Sequence, residues 1–223
     1  MQRKNRGFMT VSKNWQIMPK EIFASGPIVP VLVINKVADA LPIAEALLAA
    51  DVKVLEVTLR TPDALDVISV IAKEFPEAIV GSGTVTNRQQ LQQSIDAGAK
   101  FAISPGLTKD LLQAGNEGNI ALIPGISSIS ELMDASDFGY DHLKFFPAEA
   151  SGGVNAIKSI GGPFPDIKFC PTGGININNV RDYLALPNVA CCGGSWLVPN
   201  HVVEAKTWSE ITQLAKAALA HVK

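Results

Sequence analysis

Eight short apolar runs of β type recur along the chain, with Gly, Pro, Thr or Ser near the ends of most of them. The runs begin at residues 28, 53, 78, 101, 120, 142, 167 and 189 and read IVPVLVI, KVLEVTL, AIVGSGT, FAISPG, IALIPG, HLKFFPA, IKFCPTGG and VACCGGSW. Their spacing leaves room for one helix and two loops between neighbours, and strands joined by helices pair in parallel. The pattern predicts an α/β fold, with a closed (β/α)8 TIM barrel first and an open doubly wound sheet second.

Several segments between these runs carry helix signals. Three pairs have the spacing of a capping box, namely Thr86 with Gln89, Ser128 with Glu131, and Thr207 with Glu210. In the segment 61–75, Thr61 is a predicted cap and Pro62 suits the first turn. The apolar residues predicted to share the buried face of that helix are Leu65, Ile68, Ala72 and Phe75.

No linker or shift in composition divides the chain of 223 residues, so residues 16–223 are predicted to form one domain. Residues 1–15, MQRKNRGFMTVSKNW, are basic at the start but lack the apolar region that a secretory signal requires. We predict an N-terminal extension there, in which Met9 is an alternative start. No apolar run is long enough to span a membrane.

Charge and cysteine content limit the partners and the compartment. The net charge is −2 and basic residues do not cluster, which argues against nucleic acid or an anionic membrane as the partner. A small molecule is the expected partner. The three cysteines, Cys170, Cys191 and Cys192, form no disulfide framework, which fits a reducing cytoplasm.

The second run carries polar residues at alternate positions. Glu56, Thr58 and Arg60 share one strand face, and apolar residues occupy the positions between them. Because the apolar face would pack under the helices, the polar face is predicted to point into the barrel or its mouth.

The sixth run places Lys144 inside an apolar stretch, LKFFPAE. Alternation puts Lys144 and Phe146 on the inward face, with Glu56 as a candidate neighbour across the barrel. A lysine without water needs a salt bridge, a route to the surface or loss of its proton, and only the neutral amine is a nucleophile. An ion pair that only stabilises the fold is the alternative. The positions of both residues toward strand ends favour chemistry.

Glycines after the last two runs indicate a second part of a site. TGG at 172–174 follows the seventh run and GGS at 193–195 lies at the end of the eighth. Loops at these two positions of a barrel often bind phosphate through backbone N–H groups. Tight turns are the alternative interpretation, but the paired positions favour a phosphorylated ligand.

Other chemistries find little support in the sequence. The histidines His142, His201 and His221 are scattered and lack metal-ligand spacing. No serine lies in a nucleophile-elbow motif, and GSGT at 81–84 lacks the dinucleotide-binding pattern. We therefore expect no metal and no cofactor.

Seven motifs together resemble the class I 2-keto-3-deoxy-6-phosphogluconate (KDPG) aldolases, also called KHG/KDPG aldolases. They are LEVTLRT at 55–61, GSGTV at 81–85, FAISPGL at 101–107, IPGIS at 123–127, KFFPAE at 144–149, FCPTGGI at 169–175 and GGSWLVP at 193–199. The resemblance runs from about Trp15 to near the C-terminus. It implies a (β/α)8 barrel, a homotrimer, and cleavage of KDPG to pyruvate and D-glyceraldehyde 3-phosphate through a Schiff base, without a metal, in the Entner–Doudoroff pathway.

The resemblance also assigns roles to residues. Lys144 matches the Schiff-base lysine, and Glu56 matches the glutamate that acts as acid and base. The positions around the pyruvate part of the substrate are Arg60, Thr84 and Pro105. The positions on the phosphate side are Phe146, Gly173, Gly174 and Ser195.

Two other functions stay open from the sequence. A barrel isomerase or synthase would share the phosphate loops but form no imine. A phosphosugar-binding protein would keep the barrel without turnover, although the intact set of Lys144, Glu56 and Arg60 argues against it. The preference among KDPG, its C4 epimer and 4-hydroxy-2-oxoglutarate is also open.

Overall fold

Helices and strands alternate along the chain in a computed structural model that describes residues 13–222. The strands are β1 Ile28–Leu32, β2 Val54–Thr58, β3 Ile79–Gly83, β4 Phe101–Ile103, β5 Ala121–Ile123, β6 Gly125–Ile126, β7 His142–Phe145, β8 Lys168–Pro171 and β9 Cys192–Gly194. The helices are α1 Pro19–Ala24, α2 Ala40–Leu48, α3 Ala64–Glu74, α4 Arg88–Asp96, α5 Lys109–Glu117, α6 Ile129–Asp137, α7 Gly153–Ile160, α8 Val180–Leu184, α9 Asn200–Ala205 and α10 Trp208–His221. None of the helices in this range has the length and apolarity needed to cross a membrane.

The strand pairings found in residues 13–222 are all parallel. Six strands pair in the order β5-β4-β3-β2-β1-β9, and three pair in the order β6-β7-β8. Two isolated bridges, Phe169 to Val189 and Thr172 to Gly193, join the β8 region to the β9 region. The predicted α/β fold with parallel strands is confirmed.

Pro124 accounts for the difference between eight predicted runs and the observed strands. The fifth run was predicted as one strand, but the structure divides it into β5 and β6 at this proline. Proline has no N–H to donate to a neighbouring strand, so the ladder is interrupted there. Its carbonyl still accepts a hydrogen bond from the backbone N–H of Lys144, at 3.0 Å.

Alternate strand residues divide between two apolar clusters. The smaller one, here called the inner cluster, consists of Ile22, Phe23, Val29, Val54, Phe101, Ile103, Ala121, Ile123, Cys170 and Cys191. The larger outer cluster contains strand residues that alternate with these, such as Leu55 and Leu122, together with the buried faces of α2 to α10, whereas Ile22 and Phe23 of α1 lie in the inner cluster. Successive side chains of a strand point to opposite faces, so the sheets have one face toward the helices and one toward the inner cluster.

The structure confirms the helix predictions only in part. Ser128 and Glu131 form the predicted capping box, and Thr207 occupies the predicted N-cap position without a side-chain cap hydrogen bond. The cap of α4 is Asn87 rather than Thr86. Thr61 does not cap α3, because its hydroxyl donates to the carbonyl of Ile34. The buried face of α3 includes the predicted Ile68 together with Ala64, Val67 and Ile71, whereas the predicted Leu65, Ala72 and Phe75 are only half-buried.

The end of the predicted N-terminal extension contacts the rest of the fold. The Lys13 amine lies 4.3 Å from the centre of the Trp15 ring and 3.9 Å from that of Tyr140. The indole N–H of Trp15 donates to the carbonyl of Gly115 at 2.8 Å. Residues 1–12 of the predicted extension, with Met9, and Lys223 lie outside the described residues.

Gly81 lies in β3 opposite Glu56 and beside the ring of Phe101. A Cβ at position 81 would lie 2.5 Å from Cδ1, Cε1 and Cζ of Phe101, a ring that is fully buried. We expect Gly81→Ala to lower the free energy of unfolding by about 1–3 kcal/mol, because the packed ring cannot move away without strain. Urea denaturation measures this change. Gly26→Ala is the control. A Cβ at position 26 would meet nothing within 4 Å, so this substitution should cause no overpacking and no loss of stability from it.

Candidate active site

Lys144 and Glu56 form a buried ion pair between β7 and β2. The Lys144 Nζ lies 3.1 Å from Glu56 Oε1, and the two residues are 5% and 1% exposed. Their apolar neighbours, Leu55, Val57, Leu143 and Phe145, belong to the outer cluster. The alternation read from the sequence is therefore confirmed, and so is the predicted proximity of this lysine and this glutamate.

Gly83 on β3 makes room for Glu56. In the ladder with β2, Gly81 is opposite Glu56 and Gly83 is opposite Thr58. A Cβ on Gly83 would collide with the Glu56 carboxylate, so the acid occupies space that any larger residue would fill. The second carboxylate oxygen, Oε2, is buried and has no hydrogen-bond partner among the described residues. A buried acceptor without a partner is available to a ligand.

Lys144 has an aromatic ring and a buried cysteine as neighbours. Its Nζ lies 5.2 Å from the centre of the Phe146 ring, and Cys170 is its partner in the ladder between β7 and β8. All three cysteines are free and buried. A hydrogen bond with Cys170, followed by burial, raises the pKa of the Cys191 thiol. That thiol stays protonated at neutral pH and is a poor nucleophile.

Arg60 is held at the rim by the residue two positions before it. The Thr58 hydroxyl donates to the carbonyl of Leu32 at 2.8 Å and accepts from Arg60 Nε at 3.2 Å. Arg60 is exposed and lines a cleft of ≈ 440 Å³ together with Ser195, Trp196 and Asn35. Lys144 and Glu56 do not line this cleft. The structure thus brings Arg60 and Ser195 together at the rim, apart from the buried ion pair.

Thr84 and Pro105 follow the ends of β3 and β4. Thr84 has a φ of 61°, a left-handed conformation that is unusual for a β-branched residue and that is concentrated at functional sites. Pro105 lines a second, smaller cleft of ≈ 220 Å³ with Thr86 and Leu107. Gly125 allows β6 to approach the backbone of Pro105 closely, because a Cβ on Gly125 would lie 2.5 Å from the carbonyl oxygen of Pro105.

The predicted phosphate loop lies beyond the end of β8. Gly173 and Gly174 have φ values of 102° and 78°, which glycine adopts without strain. Ahead of them, Thr172 is buried, and its hydroxyl has no hydrogen-bond partner among the described residues. A Cβ on Gly193 would collide with that hydroxyl. We did not assign Thr172 a role from the sequence, although its alternation with Cys170 places it on the face of Lys144.

All the predicted site residues lie on strands or just beyond their carboxyl ends, the end of a parallel fold that usually carries chemistry. Lys144 and Glu56 contact each other, Arg60 and Ser195 share one cleft, and Pro105 lies in another. Within residues 13–222, no group of three or more His, Cys, Asp and Glu side chains is arranged to hold a metal ion.

Comparison with known proteins identifies close relatives. A protein of Pseudoalteromonas atlantica named 2-dehydro-3-deoxy-phosphogluconate aldolase is 65% identical over 210 residues, which cover 94% of this chain and 98% of the relative. The Escherichia coli protein named KHG/KDPG aldolase is 57% identical over 211 residues, covering 95% and 99%.

A solved structure shares both sequence and fold with this chain. The KDPG aldolase of Legionella pneumophila, with pyruvate captured at low pH as a covalent carbinolamine intermediate, superimposes with a TM-score of 0.91. It is 51% identical, and the match covers 92% of this chain and 100% of the other.

The sequence model for KDPG and KHG aldolase matches residues 20–214, a range that includes every residue of the predicted site. The resemblance read from the seven motifs is therefore confirmed over nearly the whole fold. From this match and from relatives aligned along almost their full length, we conclude that the chain belongs to the KDPG and KHG aldolase family.

Proposed function

We propose that this protein is a class I aldolase that cleaves KDPG to pyruvate and D-glyceraldehyde 3-phosphate through a Schiff base on Lys144. The buried Lys144–Glu56 pair is the observation that carries the proposal, because it places an amine and a carboxylate 3.1 Å apart in an apolar interior. The Legionella pneumophila relative supports it, since a carbinolamine is the adduct that an amine forms with a ketone.

The first half of the reaction attaches the substrate to Lys144. The ammonium group of Lys144 transfers a proton to Glu56, which its Nζ already contacts, and the neutral amine that results adds to the C2 ketone of KDPG. The resulting carbinolamine loses its hydroxyl as water after Glu56 returns a proton to it. The product is an iminium ion, which accepts the electron pair of an adjacent bond.

The second half breaks the bond between C3 and C4. A base removes the proton of the C4 hydroxyl, the aldehyde leaves, and the electrons of the broken bond move into the iminium to form an enamine. Protonation at C3 and hydrolysis then release pyruvate and free Lys144. The unpartnered Oε2 of Glu56 is available for these proton transfers, so one carboxylate serves both halves.

In this proposal the carboxylate and the phosphate of the substrate bind different residues at the rim, with Arg60 in one set and Ser195, which lines the same cleft, in the other. The guanidinium of Arg60 matches a carboxylate in a bidentate manner, and Thr84 and Pro105 border the pyruvate part. We assign the phosphate to the backbone N–H groups of the left-handed glycines Gly173 and Gly174, with Phe146 and Ser195 as further residues on the phosphate side.

We propose 4-hydroxy-2-oxoglutarate as a second substrate, cleaved to pyruvate and glyoxylate. The name of the Escherichia coli relative and that of the family both include this activity. The chemistry at Lys144 is the same for both compounds, because only the aldehyde fragment differs.

We also propose that the strands close into one (β/α)8 barrel and that residues 16–223 form a single domain. The two bridges between the β8 and β9 regions, and the direct succession of β5, Pro124 and β6, support closure. We further propose that the protein is a homotrimer and that it is located in the cytoplasm. Both proposals rest on resemblance to the family. Size-exclusion chromatography with light scattering tests the trimer.

We expect pyruvate and borohydride to add one reduced pyruvate unit to this protein, on Lys144. Intact-mass analysis followed by peptide mapping locates the adduct. Lys168→Met is the control. Lys168 lies at the start of β8 and donates to the carbonyl of Pro187, so this variant should still form the adduct. If the folded wild-type protein formed no adduct, the pair of Lys144 and Glu56 would have only a structural role. That result would favour the isomerase or synthase alternative.

The Lys144→Met variant should form no adduct on that residue and have no turnover. Removing one partner of a buried ion pair costs about 3–5 kcal/mol, so this variant is at risk of unfolding. The double variant Lys144→Met, Glu56→Gln removes both charges and should fold. Circular dichroism checks both proteins before activity is measured.

Glu56→Gln should lower kcat for KDPG by about 10² to 10⁴-fold, the usual contribution of general acid–base catalysis. The amide keeps the size of the side chain and a hydrogen-bond acceptor for Lys144, so substrate binding should change little, and circular dichroism checks the fold because the charge of Lys144 loses its partner. Continuous measurement of pyruvate release gives kcat and KM. Glu74→Gln at the exposed end of α3 is the control, and wild-type turnover in Glu56→Gln would remove this residue from the mechanism.

Treatment with EDTA should leave the aldolase activity unchanged, because the iminium on Lys144 provides the electron sink that a metal would otherwise supply. Assays before and after dialysis against the chelator measure this. A loss of activity that added divalent cations restore would contradict the Schiff-base mechanism as the complete account.

A further inference from the structure

The loop that follows the strand of Lys144 is hydrogen-bonded to the glycine loop. The backbone N–H of Ala148 donates to the carbonyl of Thr172 at 2.7 Å, and that of Glu149 donates to the carbonyl of Gly173 at 3.1 Å. Glu149 also begins a short 3-10 turn, Glu149–Ser151. The segment after β7 and the turn after β8 are thus joined directly by two main-chain bonds.

The side chain of Glu149 covers one side of the glycine turn. A Cβ on Gly174 would lie 2.5 Å from Glu149 Cγ and 2.8 Å from Glu149 Cβ. The stem of the glutamate therefore fills the space that a side chain at position 174 would take. Two consecutive glycines have many accessible conformations, so a group packed against them restricts the turn to fewer of these.

A buried tyrosine fixes the other end of this glutamate. Tyr183 in α8 is fully buried, and its hydroxyl donates a hydrogen bond to Glu149 Oε1. Burial, followed by this hydrogen bond, raises the pKa of Tyr183, so the hydroxyl remains a donor. A Cβ on Gly153 would lie 3.3 Å from the Tyr183 hydroxyl and 3.4 Å from Glu149 Oε1, so a small residue there leaves this contact uncrowded.

We infer that Glu149, held by Tyr183, is a positioning residue for the phosphate half of the substrate. It fixes the left-handed turn of Gly173 and Gly174 in the conformation that presents backbone N–H groups to the phosphate. This inference rests on the proposed function. It assigns to the site a residue that touches neither the reacting carbon atoms nor Lys144.

The charge of Glu149 argues for a positioning role rather than a direct contact. An ionised carboxylate only accepts hydrogen bonds, so it cannot donate one to a phosphate, and two anions repel each other. The bond from Tyr183 supplies the partner that the carboxylate needs, and a hydrogen bond to an ionised acceptor is stronger than a neutral one. Its contribution to substrate binding therefore acts through the shape of the turn.

Two variants and one control test this inference. Glu149→Ala removes the brace and its acceptor, whereas Tyr183→Phe removes only the donor and keeps the ring in the core. Each should raise KM for KDPG about tenfold, with kcat changed less than about twofold, as expected for loss of one charge-assisted hydrogen bond that acts on binding. Glu149→Gln keeps the stem and an acceptor oxygen and should stay within about threefold of wild type.

Pyruvate and inorganic phosphate separate the two halves of the site. The rate of borohydride trapping with pyruvate should be unchanged in all three variants, because pyruvate carries no phosphate. The inhibition constant of inorganic phosphate against KDPG should rise in Glu149→Ala and Tyr183→Phe in parallel with KM.

The results that would overturn the inference differ from those that would overturn the function. Unchanged or lower KM values for KDPG in Glu149→Ala and Tyr183→Phe would remove Glu149 from phosphate positioning while leaving the aldolase intact. Slower pyruvate trapping in these variants would show a general distortion of the loop after β7 and would also refute it. Failure of the wild-type protein to trap pyruvate would refute the proposed function instead.

Discussion

The ion pair of Lys144 and Glu56 is the interaction that the site depends on. Charges taken out of water are costly, and their attraction offsets the cost only when the geometry is good. Parallel strands hold both residues on the inner face, while Gly83 leaves the volume that the carboxylate occupies. The result is an amine beside a proton acceptor in an apolar interior, a pairing that loops alone would hold less rigidly.

Local periodicity made the general fold and the centre of the site predictable. Alternation along two strands placed Glu56 and Lys144 on one face, and their measured contact agrees with it. The buried face of α3 was predicted only in part, because Ala64, Val67 and Ile71 satisfy the helical period as well as the residues predicted beside Ile68. Pro124 divided a strand that the apolar pattern alone could not divide.

The supporting residues could not be predicted because their roles depend on register between strands far apart in sequence. Each of three glycines leaves space for a residue of another strand or loop: Gly83 for Glu56, Gly125 for Pro105, and Gly193 for Thr172. A glycine inside a strand indicates that something approaches closely, but the sequence does not name what approaches. The separation of Arg60 and Ser195 from the ion pair likewise depends on how the rim loops fold.

The bonds between the loops after β7 and β8 have a consequence for how such a site can diversify. Lys144 and Glu56 belong to strands, whereas Arg60, Ser195 and the paired glycines lie in or beside connecting segments at the rim. The proposed function therefore assigns the chemistry to strands and substrate recognition to loops, and two of these loops are not independent, because Ala148 and Glu149 are bonded to Thr172 and Gly173. A relative that acts on a substrate with a different aldehyde fragment would have to change these two loops together.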